Sequence, residues 1–119
     1  MRQTKYRAVK TVVDGIRFDS KLEAKRYQEL RLLEQSKAIS ALICQERFPI
    51  TVPSTSGRLA HICDYIADFA YWSDGCRVVE DVKGMRTPVY RLKKKLVEAM
   101  YGITITEWPP KRSTSRRKR

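Results

Sequence analysis

The order of hydrophobic patterns in this chain predicts an α/β (α+β) fold, with a mixed sheet flanked by two helices. Two helical patterns are visible, one opened by Ser20-Lys21-Leu22-Glu23 and the other by Thr87-Pro88 and closed by Gly102. Between them lie several β-prone runs, and one more follows the second helix. Elements interleaved in this order bury their apolar faces around a common sheet. At 119 residues the chain is about one domain, large enough for a modest core. It divides into a basic arm over residues 1–10, a single domain over 11–108, and a basic tail over 109–119 that is expected to be disordered.

The first ordered element is a hairpin, because Thr11-Val12-Val13 and Ile16-Arg17-Phe18 flank Asp14-Gly15, a dipeptide suited to a two-residue type I′ turn. Ser20-Lys21-Leu22-Glu23 then fits a capping box, and Leu22, Tyr27, Leu30 and Leu33 continue a helical apolar stripe to about Ser36. Ile39 to Phe48 is β-prone, with Pro49 to Val52 as its continuation before a Ser/Thr/Gly loop. His61 to Trp72 is a strand, Ser73-Asp74-Gly75 turns the chain, and Arg77 to Lys83 returns antiparallel to it. The second helix runs to Met100, with Leu92, Leu96, Val97 and Met100 expected to pack on the sheet. Ile103 to Thr106 is the last strand.

Charge points to the partner. There are 25 Lys plus Arg against 13 Asp plus Glu, and the net charge is +12. The tail after Trp108 carries six basic residues and no acid, half of that excess. The rest stays with the folded part, so a polyanion, foremost nucleic acid, is the expected partner. No run approaches the ~20 apolar residues that span a bilayer, and no signal peptide follows Met1, so a cytoplasmic protein without membrane contact is expected. Cys44, Cys63 and Cys76 form no CxxC pair and there is a single histidine, His61, so neither a disulfide framework nor a zinc site is indicated. All three thiols read as small buried apolar residues, and His61 as an ordinary polar residue.

The stretch Val78-Val79-Glu80-Asp81-Val82-Lys83-Gly84 reads as a strand, yet it carries three charges. Alternation puts Asp81 and Lys83 on one face and Glu80 on the other, where a solvated role is expected. Asp68 lies roughly across from this stretch, and Glu23 opens the first helix. Asp64, four residues before Asp68 and on the same face if alternation is strict, is its rival. Each member also has a plainer reading. Glu23 completes the capping box, Asp68 faces solvent, and Asp81 with Lys83 forms a same-face ion pair.

This ordered series resembles the PD-(D/E)xK nuclease superfamily, whose helix acid, strand acid and acid-x-Lys pair are spread over an αβββαβ core. The resemblance runs from about Val12 to Glu107. Through FDSKLEAKRY, YIADFAY, EDVKG and YGITITEW the chain is similar to small phage-encoded nuclease-like proteins, including Holliday junction resolvases. It implies a restriction-endonuclease-like fold with Glu23, Asp68, Asp81 and Lys83 as catalytic residues. Mg²⁺, for which Mn²⁺ can substitute, would be held by Asp68, Asp81 and the Val82 carbonyl, with Glu23 as a further ligand. Lys83 would orient or deprotonate the attacking water. Gln45 stands where such proteins often keep a polar residue, and a buried hydrogen-bonded side chain explains it equally well.

Arg86, Thr87, Arg91, Lys93 and Lys94 at the second helix, with Lys111, Arg112, Arg116 and Arg117 of the tail, are the candidate nucleic-acid contacts. Helix capping is the commoner role for a threonine placed like Thr87, and a hydroxyl at Tyr90 would lie near the same mouth. The expected function is metal-dependent cleavage of DNA, selected by branched shape because no base-reading module is visible. Resolving a junction takes two cuts related by a two-fold axis, which implies a homodimer acting in phage recombination or DNA processing in the bacterial host cytoplasm. A basic binding protein that keeps the nuclease fold without catalysis is the alternative, and a regulatory protein that binds another protein through the acidic surface is a third reading.

Overall fold

Asp14 and Gly15 adopt φ of 52° and 77° and join β1 (Thr11–Val13) to β2 (Ile16–Phe18) through the expected two-residue turn. The structure is a computed structural model that describes residues 10–82 and 86–110. Ser20 then starts α1 (Lys21–Gln35), its hydroxyl oxygen accepting the Glu23 N–H at 3.1 Å. The hairpin is tied to this helix by the Tyr27 hydroxyl, which donates to Asp14 at 2.9 Å.

Two long strands follow, β3 (Ser40–Pro53), within one residue of its expected limits with the continuation through Val52, and β4 (Leu59–Ser73), which extends beyond its expected limits at both ends. Pro49 is carried inside β3 because this is an edge strand, which tolerates a missing donor. Asp74 and Gly75, again at positive φ, turn the chain into β5 (Cys76–Val82). Thr87 caps α2 (Pro88–Tyr101) by accepting the Tyr90 N–H at 3.1 Å, and Gly102 in the left-handed region ends it. The last strand, β6 (Ile105–Trp108), begins two residues later than the β-prone run suggests. The residues after Gly102 are used to return the chain from α2, and the Ile105 N–H is held by the Glu98 carboxylate at 2.8 Å.

From α1 onward the order is αβββαβ, as expected. The sheet order is β3-β4-β5-β6, antiparallel except for the parallel β5–β6 pair that the α2 crossover permits. Each face is covered by one helix. Phe18, Tyr27, Leu30, Phe69 and Tyr71 pack on the α1 side, and Phe48, Tyr65, Val79, Tyr90 and Val97 on the α2 side. Among the described residues no helix is long and apolar enough to cross a membrane.

Three packing expectations are corrected. Leu92 is 59% exposed and Met100 41% exposed. The row of α2 that faces the sheet is set instead by Tyr90 and Val97, one i, i+7 step apart, and the partly buried stems of Lys93 and Lys94 lie between them. Leu33 is also more than one-third exposed, because α1 buries Ala24, Tyr27 and Leu30 on a narrower stripe. Cys76 is exposed at the β4–β5 turn, whereas Cys44 and Cys63 are partly buried.

Candidate active site

The site forms where regular pairing ends. The β4–β5 ladder runs from Ser73 and Cys76 to Phe69 and Glu80. At the next rung a side chain takes over: the Asp68 carboxylate accepts the Val82 N–H at 2.8 Å. On its other side Asp68 stands opposite Gln45 of β3, which has a φ of 60°. That left-handed residue in mid-strand resets the alternation. Glu46 pairs with Ala67 on the α2 side, but Cys44 pairs with Phe69 on the α1 side, two residues on and on the opposite face.

The reset brings Asp68 beside Asp81, the residue that precedes the Val82 whose N–H it accepts. Asp81 is 1% exposed and accepts a hydrogen bond from the Tyr65 hydroxyl. Burial, then the hydrogen bond and charge of Asp81, then the charge of Glu23 push the Asp68 carboxyl up to about 8. The charge of Glu23 therefore reaches Asp68 from α1. Burial and Asp81 also hold the Tyr65 hydroxyl far above its ordinary range, so it stays a donor.

Asp68 and Asp81 thus lie together at the end of the β4–β5 ladder, and the charge of Glu23 reaches Asp68 from α1. Val82 ends β5 beside them, and Lys83 lies outside the described residues. Asp64 is elsewhere. Tyr65 and Ala67 are on the α2 side, so Asp64 faces the opposite way and is paired with Arg47 and, at 2.8 Å, with His61. Strict alternation linked it to Asp68, and the reset at Gln45 breaks that link. Glu80 is corrected as well: it is on the opposite face from Asp81 but is 2% exposed, not solvated. Gln45 makes a long contact, 3.5 Å, to the Arg17 carbonyl.

The α2 cations are largely engaged within the molecule. Arg86 donates to Glu107 at 2.6 Å, Lys93 to the Asp64 carbonyl at 3.1 Å, and Lys94 pairs with Glu98 at 3.1 Å. Thr87 is a helix cap, and the Tyr90 hydroxyl donates to Glu107 at 2.8 Å. Arg91 is exposed. Lys111, Arg112, Arg116 and Arg117 lie outside the described residues. Sequence reasoning passed over Tyr65 and Glu107. Glu107 sits opposite Asp81 in β6, so its neighbourhood depends on a parallel register that one sequence does not reveal.

Residues 3–114 match a family described as Protein of unknown function (DUF1064). The chain belongs to the DUF1064 family. No curated protein and no solved structure matches it. What this DUF1064 chain can hold follows from its donors. Among the described residues no three acidic, histidine or cysteine side chains are already grouped as a metal site. Asp68 and Asp81, side by side on neighbouring strands, are oxygen donors of the kind that a hard divalent cation takes. A cation held there would favour the ionised form of Asp68.

Proposed function

We propose that this DUF1064 protein is a Mg²⁺-dependent nuclease that hydrolyses DNA phosphodiester bonds, with Mn²⁺ able to substitute. The observation that carries the reading is the buried Asp68–Asp81 carboxyl pair at the point where β4 and β5 stop pairing, under the influence of Glu23. Its resemblance to the PD-(D/E)xK series supports the same conclusion. Asp68, Asp81 and the Val82 carbonyl, joined by Glu23, are the residues that would hold Mg²⁺, which when bound supplies charge neutralisation at the phosphate and a more acidic water.

The chain's own groups do the rest. Tyr65 fixes the Asp81 carboxylate, and the Val82 N–H fixes that of Asp68, so two ligands from separate strands arrive already oriented. Asp68 gives up its proton when the pair takes a cation. Lys83, two residues beyond Asp81 in sequence, orients or deprotonates the attacking water and offsets charge on the phosphate. Arg91 and the tail residues Lys111, Arg112, Arg116 and Arg117 supply contacts to the backbone of the nucleic acid. Selection by branched shape, and a homodimer that makes paired cuts during phage recombination or DNA processing, complete the proposal.

Incubation of a four-way junction and a matched linear duplex with Mg²⁺ tests it. Cleavage of the junction that EDTA abolishes is the expected result. Salt-sensitive binding of both DNAs without any cleavage would instead support a non-catalytic binding protein.

A further inference from the structure

Arg26 lies three residues beyond Glu23 on α1, a spacing that keeps the two on neighbouring positions of one helix side. Its guanidinium grips both oxygens of Glu80, through Nε at 2.9 Å and Nη2 at 2.6 Å, and donates through Nη1 to Glu29 at 3.0 Å. Its carbon lies 4.9 Å from the centre of the Trp108 ring. Glu80 also accepts from the Tyr71 hydroxyl. A single side chain therefore joins α1 to β5 and to the end of β6.

Stability alone is a poor reason for this arrangement. Burying two charges costs their hydration, and an apolar pair of similar volume often serves a fold as well. A forked, planar donor on a carboxylate does something that apolar contact does not: it fixes orientation as well as distance. Here the fixed distance is the one that matters. Glu80 immediately precedes Asp81, and Arg26 is less than one helical turn from Glu23, so the fork sets how the backbone bearing Glu23 stands over the backbone bearing Asp81.

We infer that Arg26 and Glu80 are positioning residues, whose bidentate pair sets the rise and rotation of α1 on β5 so that Glu23 faces the Asp68–Asp81 pair. Divalent-cation affinity then depends on two residues that touch no cation. This rests on the metal-binding reading above, and its test separates the two.

The test is Mn²⁺ binding to the full chain by calorimetry, with thermal unfolding measured in parallel, for wild type, Arg26→Met, Arg26→Lys, Glu23→Gln and the Glu23→Gln/Arg26→Met double variant. Arg26→Met should weaken Mn²⁺ binding by about 10-fold or more, the scale of losses seen when outer-shell partners are removed. Arg26→Lys should lose nearly as much, because it keeps the charge and loses the fork. The double variant should bind no more weakly than the worse single one, since Arg26 acts through Glu23. Independent, multiplying losses would overturn the inference, as would unchanged affinity in Arg26→Met or full affinity in Arg26→Lys. If Arg26→Met does not fold, Glu80→Gln replaces it in the same cycle. Wild-type protein that binds no Mn²⁺ overturns the metal reading and this inference together, whereas wild-type binding with unaffected Arg26 variants overturns the inference alone.

Discussion

Asp68 holds its place because its carboxylate completes a backbone hydrogen bond where the ladder ends, and its ionisation carries the consequence. In the folded, metal-free protein this carboxyl is raised from 3.8 to about 8. A raised carboxyl favours the fold fully below its unfolded value, and that contribution is lost as pH rises through the folded one. Unfolding in EDTA should therefore show wild type losing stability relative to Asp68→Asn between pH about 4 and about 8. Parallel stability curves for the two proteins would contradict a raised Asp68 carboxyl. The carboxylates themselves were legible, since acids in an aromatic strand and beside an x-Lys invite a chemical reading. The partners were not. Tyr65 is three residues from Asp68, a spacing that strict alternation assigns to opposite faces, and Glu80 looked solvated because nothing in one sequence announces that Arg26 will reach it from α1.

Strand β3 shows why that alternation fails. Gln45 and Ala41 both have positive φ, at 60° and 56°, in a segment whose composition gives no glycine to mark the irregularity. Strand propensity alone favours valine over glycine at position 45, but the left-handed backbone reverses the order. Gln45→Val should be less stable than Gln45→Gly by about 1–2 kcal/mol in denaturant unfolding. The opposite ranking would mean that the backbone there is regular. Helix α2 was located correctly through Thr87, Pro88 and Gly102, but the internal contacts of the lysines at i+3 and i+4 from Tyr90 were not legible in the sequence. With Lys94 paired to Glu98 and Lys93 on the Asp64 carbonyl, alanine at either position should leave the salt dependence of DNA binding nearly unchanged. Arg91→Ala should lower the slope by about 0.9 on duplex DNA, the value for one neutralised phosphate. Equal effects at all three positions would show that these internal contacts open when DNA binds.

At the scale of the whole molecule, two helices on opposite faces of a four-stranded sheet leave the carboxyl pair where β4 and β5 part, in a chain whose net charge is +12. The αβββαβ order was legible because turns, caps and periodicity agree with one another on the succession of elements, while strand limits shift by one or two residues. Half of the charge excess lies after Trp108, so truncation after Pro110 should weaken binding to linear and branched DNA alike and flatten the salt dependence. A loss confined to branched DNA would make the tail a reader of structure. The central claim, that Asp68 and Asp81 form a centre for metal-dependent phosphodiester cleavage, is tested most directly by comparing wild type with Asp81→Asn. Cleavage of a four-way junction would be measured in Mg²⁺ and affinity for the same DNA in EDTA. The account predicts that Asp81→Asn binds as tightly or more tightly, since a carboxylate that repels phosphate is gone, and cuts at least about 100-fold more slowly. Cleavage by Asp81→Asn at the wild-type rate would contradict it.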